Sequence, residues 1–402
     1  MKKTVLSLLV AAAVAPSAYA ADNITEALTS GKANVDVLMR YEGIDRDTAD
    51  PENIVVDAEA IVLRTRIGYH TGSLSGFSAY AEIEDSRTMF GLDEVGLPPT
   101  QKVADPEVTE VDQAFVQYKN DIVTAKVGRQ VITNDEHRFI GHVGWRQDRQ
   151  TFDAARVELT PVENLKIDLS YVWKHNRIFA ELADADADNT FLHISYKTPV
   201  GTVAGYSYLI EDETRNVQVD TYGVRFKGST KLDSISLHYH AEYATQDLTF
   251  AAGEFEPEYL FLEGGLTVAG ITGKIGYEVL GSDDGLASFS TPLSTLHKWN
   301  GWADVFVGPT FNPAGMPGGL VDNYLSIAGK AGPINLSVTY HVFESDEESI
   351  DYGDEVDFSA TTKFGKIYNA GLKYASYSAD DRAPRFVSTD TEVTWAWFGF
   401  SF

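Results

Sequence analysis

The chain has 402 residues, a formal net charge of −27 and no cysteine. This acidic balance argues against nucleic-acid binding, which needs a basic surface. Beyond the first twenty residues, no apolar run reaches the roughly 18 residues that a transmembrane helix needs, so helical membrane spans are excluded.

The N-terminal segment 1–20 predicts a secretory signal peptide. Lys2 and Lys3 precede an apolar run, and the segment ends in the small-x-small cleavage pattern Ala18-Tyr19-Ala20. The apolar run is too short for a membrane anchor. We therefore expect a mature chain that begins at Ala21 and forms one domain over residues 21–402.

From residue 33 onward, segments of about ten residues alternate apolar and polar positions. In the first segment, Asp36, Arg40 and Glu42 alternate with apolar side chains. A tilted strand of this length crosses a bilayer, with lipid on one face and a wet lumen on the other. Eighteen such segments are found: 33–42, 59–71, 77–84, 110–119, 122–130, 154–160, 165–175, 190–197, 202–210, 218–228, 232–244, 257–267, 271–281, 321–330, 334–343, 355–364, 368–377 and 391–402.

The last segment places aromatic side chains on one face and ends at Phe402. An unpaired apolar edge of this kind would aggregate, so we expect it to pair with the first strand. It resembles the closing strand of bacterial outer-membrane barrels, whose assembly machinery recognises that end. Connections alternate between short turns and long loops. Together these features predict an all-β, transmembrane antiparallel β-barrel of about eighteen strands with periplasmic termini, located in the outer membrane.

The long segment 131–153 carries three arginines and three large aromatic residues: Arg138, Arg146, Arg149, Phe139, Trp145 and Phe152. Few other places could bury those aromatic side chains, so the composition favours a loop that folds into the lumen. Its guanidinium groups would then suit carboxylates, which they bind in a bidentate way. The alternative is a structural cluster that only anchors the loop to the wall.

Two stretches carry a family resemblance. The first contains Phe139-Ile140-Gly141, Trp145-Arg146-Gln147 and Thr151-Phe152-Asp153-Ala154, and the second runs from Gly276 to Asp304 with Leu296-His297-Lys298 and Gly301-Trp302-Ala303-Asp304. The chain resembles the alginate export family of outer-membrane porins. The resemblance implies an eighteen-stranded barrel whose basic lumen passes anionic polyuronate, although this chain is shorter than the polymer exporters.

The alternation of inward and outward positions along the strands, together with the inward loop, predicts which basic residues lie along the pore. Acidic residues also occupy inward positions, so the predicted interior carries both positive and negative charges. The predicted pore-lining residues are Arg40, Arg64, Arg66, Arg138, Arg146, Arg149, Arg156, Lys174, Arg225 and Lys274.

The outer loops contain much of the negative charge, and such loops can share divalent cations with the phosphates of lipopolysaccharide. The run Asp184-x-Asp186-x-Asp188 lacks the glycine and the final acid of a calcium loop, so we interpret it as a solvated face. The acidic loop residues are Asp45, Asp47, Asp50, Glu52, Asp184, Asp186, Asp188, Glu344, Asp346, Glu347, Glu348 and Asp351.

The sequence contains no metalloprotease, nucleophile-elbow or nucleotide-binding motif, so we expect neither an enzyme nor a cofactor. The favoured function is passive passage of anionic solutes, most of all uronate oligo- or polysaccharides. The alternatives are a general diffusion porin and a structural or adhesive barrel. A channel is favoured because about eighteen strands enclose an aqueous lumen.

Overall fold

A computed structural model describes residues 21–48, 55–212, 216–312 and 314–402. The predicted signal peptide and the acidic residues Asp50 and Glu52 lie outside the described residues.

In the described part of the chain, eighteen antiparallel strands form one closed barrel, and each of the eighteen predicted segments falls on one of them. Numbered in chain order, the barrel strands are β1 Lys32–Thr48, β2 Ala58–His70, β3 Phe77–Asp93, β4 Val108–Lys119, β5 Val123–Gln130, β6 Thr151–Leu159, β7 Leu165–Asn176, β8 Ala185–Thr198, β9 Gly201–Asp212, β10 Val217–Leu232, β11 Ile235–Phe250, β12 Glu258–Val268, β13 Ile271–Leu280, β14 Leu320–Ala331, β15 Ile334–Glu344, β16 Asp351–Phe364, β17 Tyr368–Ala379 and β18 Thr389–Ser401.

The remaining elements are short and lie in the connections or before β1. Among the described residues, no helix is long and apolar enough to cross a membrane. The short strands are Gly253–Phe255, Ser282–Asp283 and Ala287–Ser288; the helices are α1 Ile24–Thr29 and α2 Val307–Phe311; and the 3-10 turns are Asp135–His137, Ala180–Leu182, Leu296–Lys298 and Arg385–Val387.

Strands β1 and β18 close the barrel, as the aromatic C-terminal segment predicts. Their register runs from Asp36 opposite Ser401 to Thr48 opposite Thr389. Beyond β18, the Phe402 N–H donates to the Val35 carbonyl at 3.0 Å, and the Val35 N–H donates to the Phe402 carbonyl at 2.9 Å. Among the described strands the sheet therefore closes on itself, and backbone groups pair between neighbouring strands as a bilayer requires.

The period-two alternation separates the two faces of the wall as predicted. Ile67 and Ile275 point outward and are 57% and 66% exposed, whereas Arg64 and Arg66 on β2 point inward and are buried. An apolar side chain of this size gains roughly 1.5–3 kcal/mol when lipid replaces water. The outward face thus holds the barrel in the membrane, and the inward face carries the charges.

Several strands are longer than the ten or so residues that the sequence predicts, and this corrects the predicted loop boundaries. β1 and β3 each have 17 residues. The additional residues include many polar ones and continue the ladder, and Asp45 and Asp47 of β1 lie opposite Glu392 and Asp390 of β18. Some acidic residues that the sequence places in loops are therefore strand residues.

Phe402 provides a first test of this closure. Deleting Phe402 removes the last backbone pair with Val35 and the terminal ring that stacks on Phe400 at 6.3 Å. We expect less folded barrel in outer membranes, measured as a reduced heat-modifiable band on electrophoresis. The conservative Phe402→Tyr variant is the matched control and should assemble normally. Equal folded amounts of the deletion variant and the wild type would contradict the role of Phe402 in closure.

Candidate functional site

Two long loops enter the lumen and pack against each other. They are the β5–β6 loop (131–150) and the β13–β14 loop (281–319). The Gly141 N–H donates to the Leu293 carbonyl at 2.8 Å, and the Thr295 N–H donates to the His137 carbonyl at 3.0 Å. The Gln150 amide donates to the carbonyls of Gly141 and Leu293 at 2.8 and 3.3 Å. We call these two segments the loop pair.

Arg138 fixes the loop pair to one wall of the barrel. Its side chain is fully buried, and its Nε donates to Glu278 Oε1 of β13 at 2.7 Å. Its Nη2 donates to Asn300 Oδ1 of the β13–β14 loop at 3.2 Å, and its guanidinium lies over the Trp299 ring. Burial alone would lower the pKa of Arg138, but the adjacent Glu278 carboxylate raises it. The guanidinium is therefore held charged and enclosed by protein.

Phe139, the next residue, provides the apolar part of the same anchor. Its ring lies 5.2 Å from that of Tyr259, 5.5 Å from that of Tyr206 and 5.7 Å from that of Phe289. These partners belong to β12, β9 and the β13–β14 loop. Aromatic contacts at these distances add to the burial energy of the ring. The β5–β6 loop thus lies inside the barrel, as its aromatic content predicts.

Arg146 makes a second anchor, on β1. Its Nη1 binds Glu42 Oε1 of β1 at 2.9 Å, and its Nη2 binds Asp304 Oδ2 of the β13–β14 loop at 2.8 Å. The carbonyl of the preceding residue, Trp145, accepts a hydrogen bond from Arg40. Arg40 also pairs with Asp105 of the β3–β4 loop, which brings a third loop to this point.

His297 joins this anchor to β17 and β18. Its ring stacks on Trp145 at 4.6 Å and meets the Trp395 ring edge-on at 5.4 Å. Burial lowers the pKa of His297 to about 3 against the opposing effect of Asp304, so the ring is neutral at pH 7. Its Nδ1 therefore donates to Asp304 Oδ1 at 2.7 Å, and its Nε2 accepts from Lys373 Nζ at 2.7 Å.

Every residue predicted to line the pore forms an ion pair with a carboxylate of the chain. Arg149 binds Glu82 at 2.6 Å, and Arg225 binds Asp135 at 2.5 Å. The ten residues with their partners are Arg40 with Asp105, Arg64 with Asp36, Arg66 with Glu84, Arg138 with Glu278, Arg146 with Glu42, Arg149 with Glu82, Arg156 with Asp168, Lys174 with Asp184, Arg225 with Asp135 and Lys274 with Glu263.

For the loop arginines, this pairing agrees with the alternative in which they form a structural cluster that anchors the loop to the wall. Arg138 and Arg146 bind the barrel's own carboxylates and are almost completely buried. A direct role for the ten residues toward a solute stays a prediction. The structure does bring most of them together, because Arg40, Arg66, Arg138, Arg146, Arg149 and Arg225 all contact the β5–β6 loop or its partner loop.

A row of lysines on the lumen wall is more accessible than these arginines. Lys126 of β5 lies over the Phe115 ring, with its ammonium 4.9 Å from the ring centre, and Lys197 belongs to β8. Neither forms an ion pair with any described residue. Lys227 of β10 and Lys274 line a cavity of about 390 Å³ with Lys197, near the short β8–β9 turn. The lysine row consists of Lys126, Lys166, Lys197, Lys227 and Lys274.

A larger cavity of about 810 Å³ lies at the long-loop end, and we call it the outer cavity. The upper parts of β1 and β18 form one side of it, and the loops before β2, β4, β6, β8, β14 and β18 form the remainder. Arg146, His297 and Asp304 line it together with Trp395. The anchor of the loop pair is therefore part of its lining.

Sequence reasoning missed several residues of this arrangement. The predicted pore-lining set omits Lys126 and Lys197, although the alternation within β5 and β8 places both residues on the lumen wall. Asp105, Asn300 and Asp304 lie in long loops, where no periodicity indicates direction. The only signal for Asp304 was its place in the second family-like stretch.

Known structures share this fold at low sequence identity. The crystal structure of Acinetobacter baumannii OccAB1 matches with a TM-score of 0.73 and 11% identity, over 97% of this chain and 99% of that one. Pseudomonas aeruginosa OccK5 (OpdH) matches with a TM-score of 0.69 and 13% identity, over 94% and 99% of the chains. Pseudomonas aeruginosa OccK11 (OpdR) matches with a TM-score of 0.68 and 13% identity, over 93% and 96%. These likenesses show the fold.

The sequence itself identifies the family. No curated protein matches the chain. A family model described as alginate export matches residues 45–249, which is half of the chain and includes the β5–β6 loop with both of its anchors. With the closed barrel, its lipid-facing wall and its inward loops, the match supports a channel of the outer membrane. The chain belongs to the alginate export family of outer-membrane channel proteins.

Proposed function

We propose that this channel passes small anionic solutes without an energy source, uronate oligosaccharides and related organic acids among them. The observation that supports this proposal is the lysine row. Side chains of Lys166, Lys227 and Lys274 are 48%, 41% and 34% exposed within the lumen. They pair with Glu158, Glu136 and Glu263, but they stay partly open to the lumen and can reach a passing carboxylate. Arg138 and Arg146 are buried in their ion pairs.

The lysine row has to act against a strongly acidic chain with a formal charge of −27. Charges on exposed loops are screened over roughly 8 Å at physiological salt. Charges along a narrow lumen with low-dielectric walls are felt directly by the permeating ion. We therefore expect the lumenal lysines to decide the selectivity of the channel, and the outer acidic residues to have little effect on it.

The loop pair bears on the size of the solute. It joins walls as far apart as β1 and β13 through Arg146 and Arg138. The anchors hold the loops inside the lumen, so the loop pair narrows the path that a solute can take. The proposal therefore concerns short uronates and small acids.

Removing the unpaired lysines tests the proposal. In planar bilayers with a salt gradient, Lys126→Gln/Lys197→Gln should shift the zero-current potential toward cation preference and weaken current block by oligouronates. The variant leaves no carboxylate of an ion pair without its partner. Lys366→Gln, in the exposed β16–β17 turn, makes the same charge change away from the lumen and should have no effect. An unchanged potential in the double variant would contradict the role of the lysine row.

Conductance separates this function from the alternatives. A structural or adhesive barrel would give no ion current through single molecules. A general diffusion porin would conduct but would discriminate weakly between uronates and neutral sugars of the same size. We expect discrete single-channel openings that oligouronates interrupt and neutral oligosaccharides do not.

A further inference from the structure

The outer cavity has an unusual combination of lining groups. Three large apolar side chains from three different loops converge on it and remain open to solvent: Leu97, Leu182 and Phe386 are 43%, 80% and 40% exposed. Exposed apolar residues scattered singly over a surface are ordinary. Three that meet at one concave site, backed by Phe179 and Phe311, indicate a site for an apolar group.

The same cavity has a positive charge balance. Five cationic side chains and two carboxylates line it. The two carboxylates, Glu42 and Asp304, both bind Arg146 at 2.9 and 2.8 Å. Arg46 also belongs to the lining, and its guanidinium donates to the carbonyls of Val56 at 2.6 Å and Pro99 at 2.9 Å. Carbonyl acceptors position a guanidinium without cancelling its charge, so the cavity favours an anion.

We infer that the outer cavity is a binding site for amphipathic organic acids, in which one carboxylate is attached to an apolar ring or short acyl chain. A volume of about 810 Å³ is ample for such a molecule. The carboxylate would meet the cationic groups, and the apolar body would lie against Leu182 and Phe386. This inference rests on the proposed function, since it names the class of anion that the channel takes up at its outer end.

Uronates fit this cavity less well than apolar acids. A uronate ring carries several hydroxyl groups, and each hydroxyl that leaves water for an apolar wall without a hydrogen-bond partner costs about 0.5–2 kcal/mol. Cyclohexanecarboxylate and glucuronate both carry one carboxylate on a six-membered ring, but only glucuronate carries ring hydroxyls. Comparison of these two acids therefore isolates the contribution of the apolar wall.

The experiment measures current block by each acid in the reconstituted full chain. Added at the long-loop side, cyclohexanecarboxylate should reach half-block at about a tenfold lower concentration than glucuronate. The uncharged analogue cyclohexanemethanol should not block. Leu182→Gln/Phe386→Gln should remove the tenfold difference, because it makes the wall polar while keeping its charges. Leu286→Gln is the matched control, since Leu286 is an exposed leucine of the β13–β14 loop that does not line the cavity.

The outcomes separate this inference from the proposed function. Equal block by both acids, or an unchanged ratio in the double variant, would overturn the apolar site while leaving an anion channel. Block by cyclohexanemethanol would overturn the role of charge at the site. Cation selectivity of the wild-type channel, with no block by either acid, would instead contradict the proposed function. A retained tenfold ratio in Leu286→Gln and its loss in the double variant would support the inference.

Discussion

Arg138→Ala is expected to release the loop pair from β13, with a loss of about 3–5 kcal/mol in the free energy that holds the loops against the wall. The substitution leaves Glu278 as a buried carboxylate without its cation, although Tyr259 Oη and Asn300 Nδ2 still donate to it at 2.6 Å each. Removing one partner of a buried pair costs far more than the pair contributes, because the remaining charge is desolvated.

Release of the loops should be visible in two measurements. Single-channel conductance should rise and become noisier, because the lumen loses its fixed obstruction. Limited proteolysis should cleave within 131–150 in the variant and not in the wild type. Arg382→Ala is the matched control, since it breaks an exposed pair with Asp380 at 3.0 Å and should leave conductance and protease resistance unchanged. Wild-type conductance and protease resistance in Arg138→Ala would contradict this anchor.

Asp148→Asn is expected to stabilise the folded barrel, and the gain should grow as the pH rises. Asp148 lies buried in the β5–β6 loop, and its Oδ2 has no hydrogen-bond partner among the described residues. Burial, together with the carboxylates of Glu110, Glu84 and Asp112, raises its pKa to about 10. The unfolded chain has the ordinary value of about 3.9. Folding therefore takes up a proton between these two values.

The sign of the effect follows from that proton uptake. The pKa of the Asp148 carboxyl is higher in the folded barrel than in the unfolded chain. As the pH rises from about 4 toward 10, the unfolded chain ionises this carboxyl more readily, so the free energy of unfolding falls. Asparagine has the same shape and does not titrate, so the variant lacks this loss. The transition temperature, followed by the electrophoretic shift, should differ more between variant and wild type at pH 9 than at pH 5. Asp233→Asn in the exposed β10–β11 turn is the control. If the transition temperatures of Asp148→Asn and wild type changed in parallel with pH, the prediction would be contradicted.

The barrel could be predicted because its signal is local. Alternation within each ten-residue segment indicates which side chains face lipid and which face inward, and Arg64 and Arg66 are at inward positions and buried. The extensions of β1 and β3 could not be predicted, because their residues do not alternate regularly and continue a strand only when the neighbouring strand is there to pair with them. That information lies in the β1–β18 and β2–β3 registers.

The site was predicted less completely, for a different reason. The sequence indicates that Arg138 and Arg146 enter the lumen, but it does not indicate their partners. Arg138 and Glu278 are separated by 140 residues, and Arg146 and Asp304 by 158. Ion pairs over such separations have no periodic signature, so a predicted solute contact and a structural anchor look the same in the sequence. The structure distinguishes them by burial.

The zero-current potential of the wild-type channel in a potassium chloride gradient tests the central claim most directly. Small inorganic ions report the sign of the charge along the lumen without depending on any particular solute. If the lysine row dominates the lumen, the potential should have the sign of anion preference despite the formal charge of −27. A potential with the sign of cation preference would show that the acidic groups dominate and would contradict an anion channel.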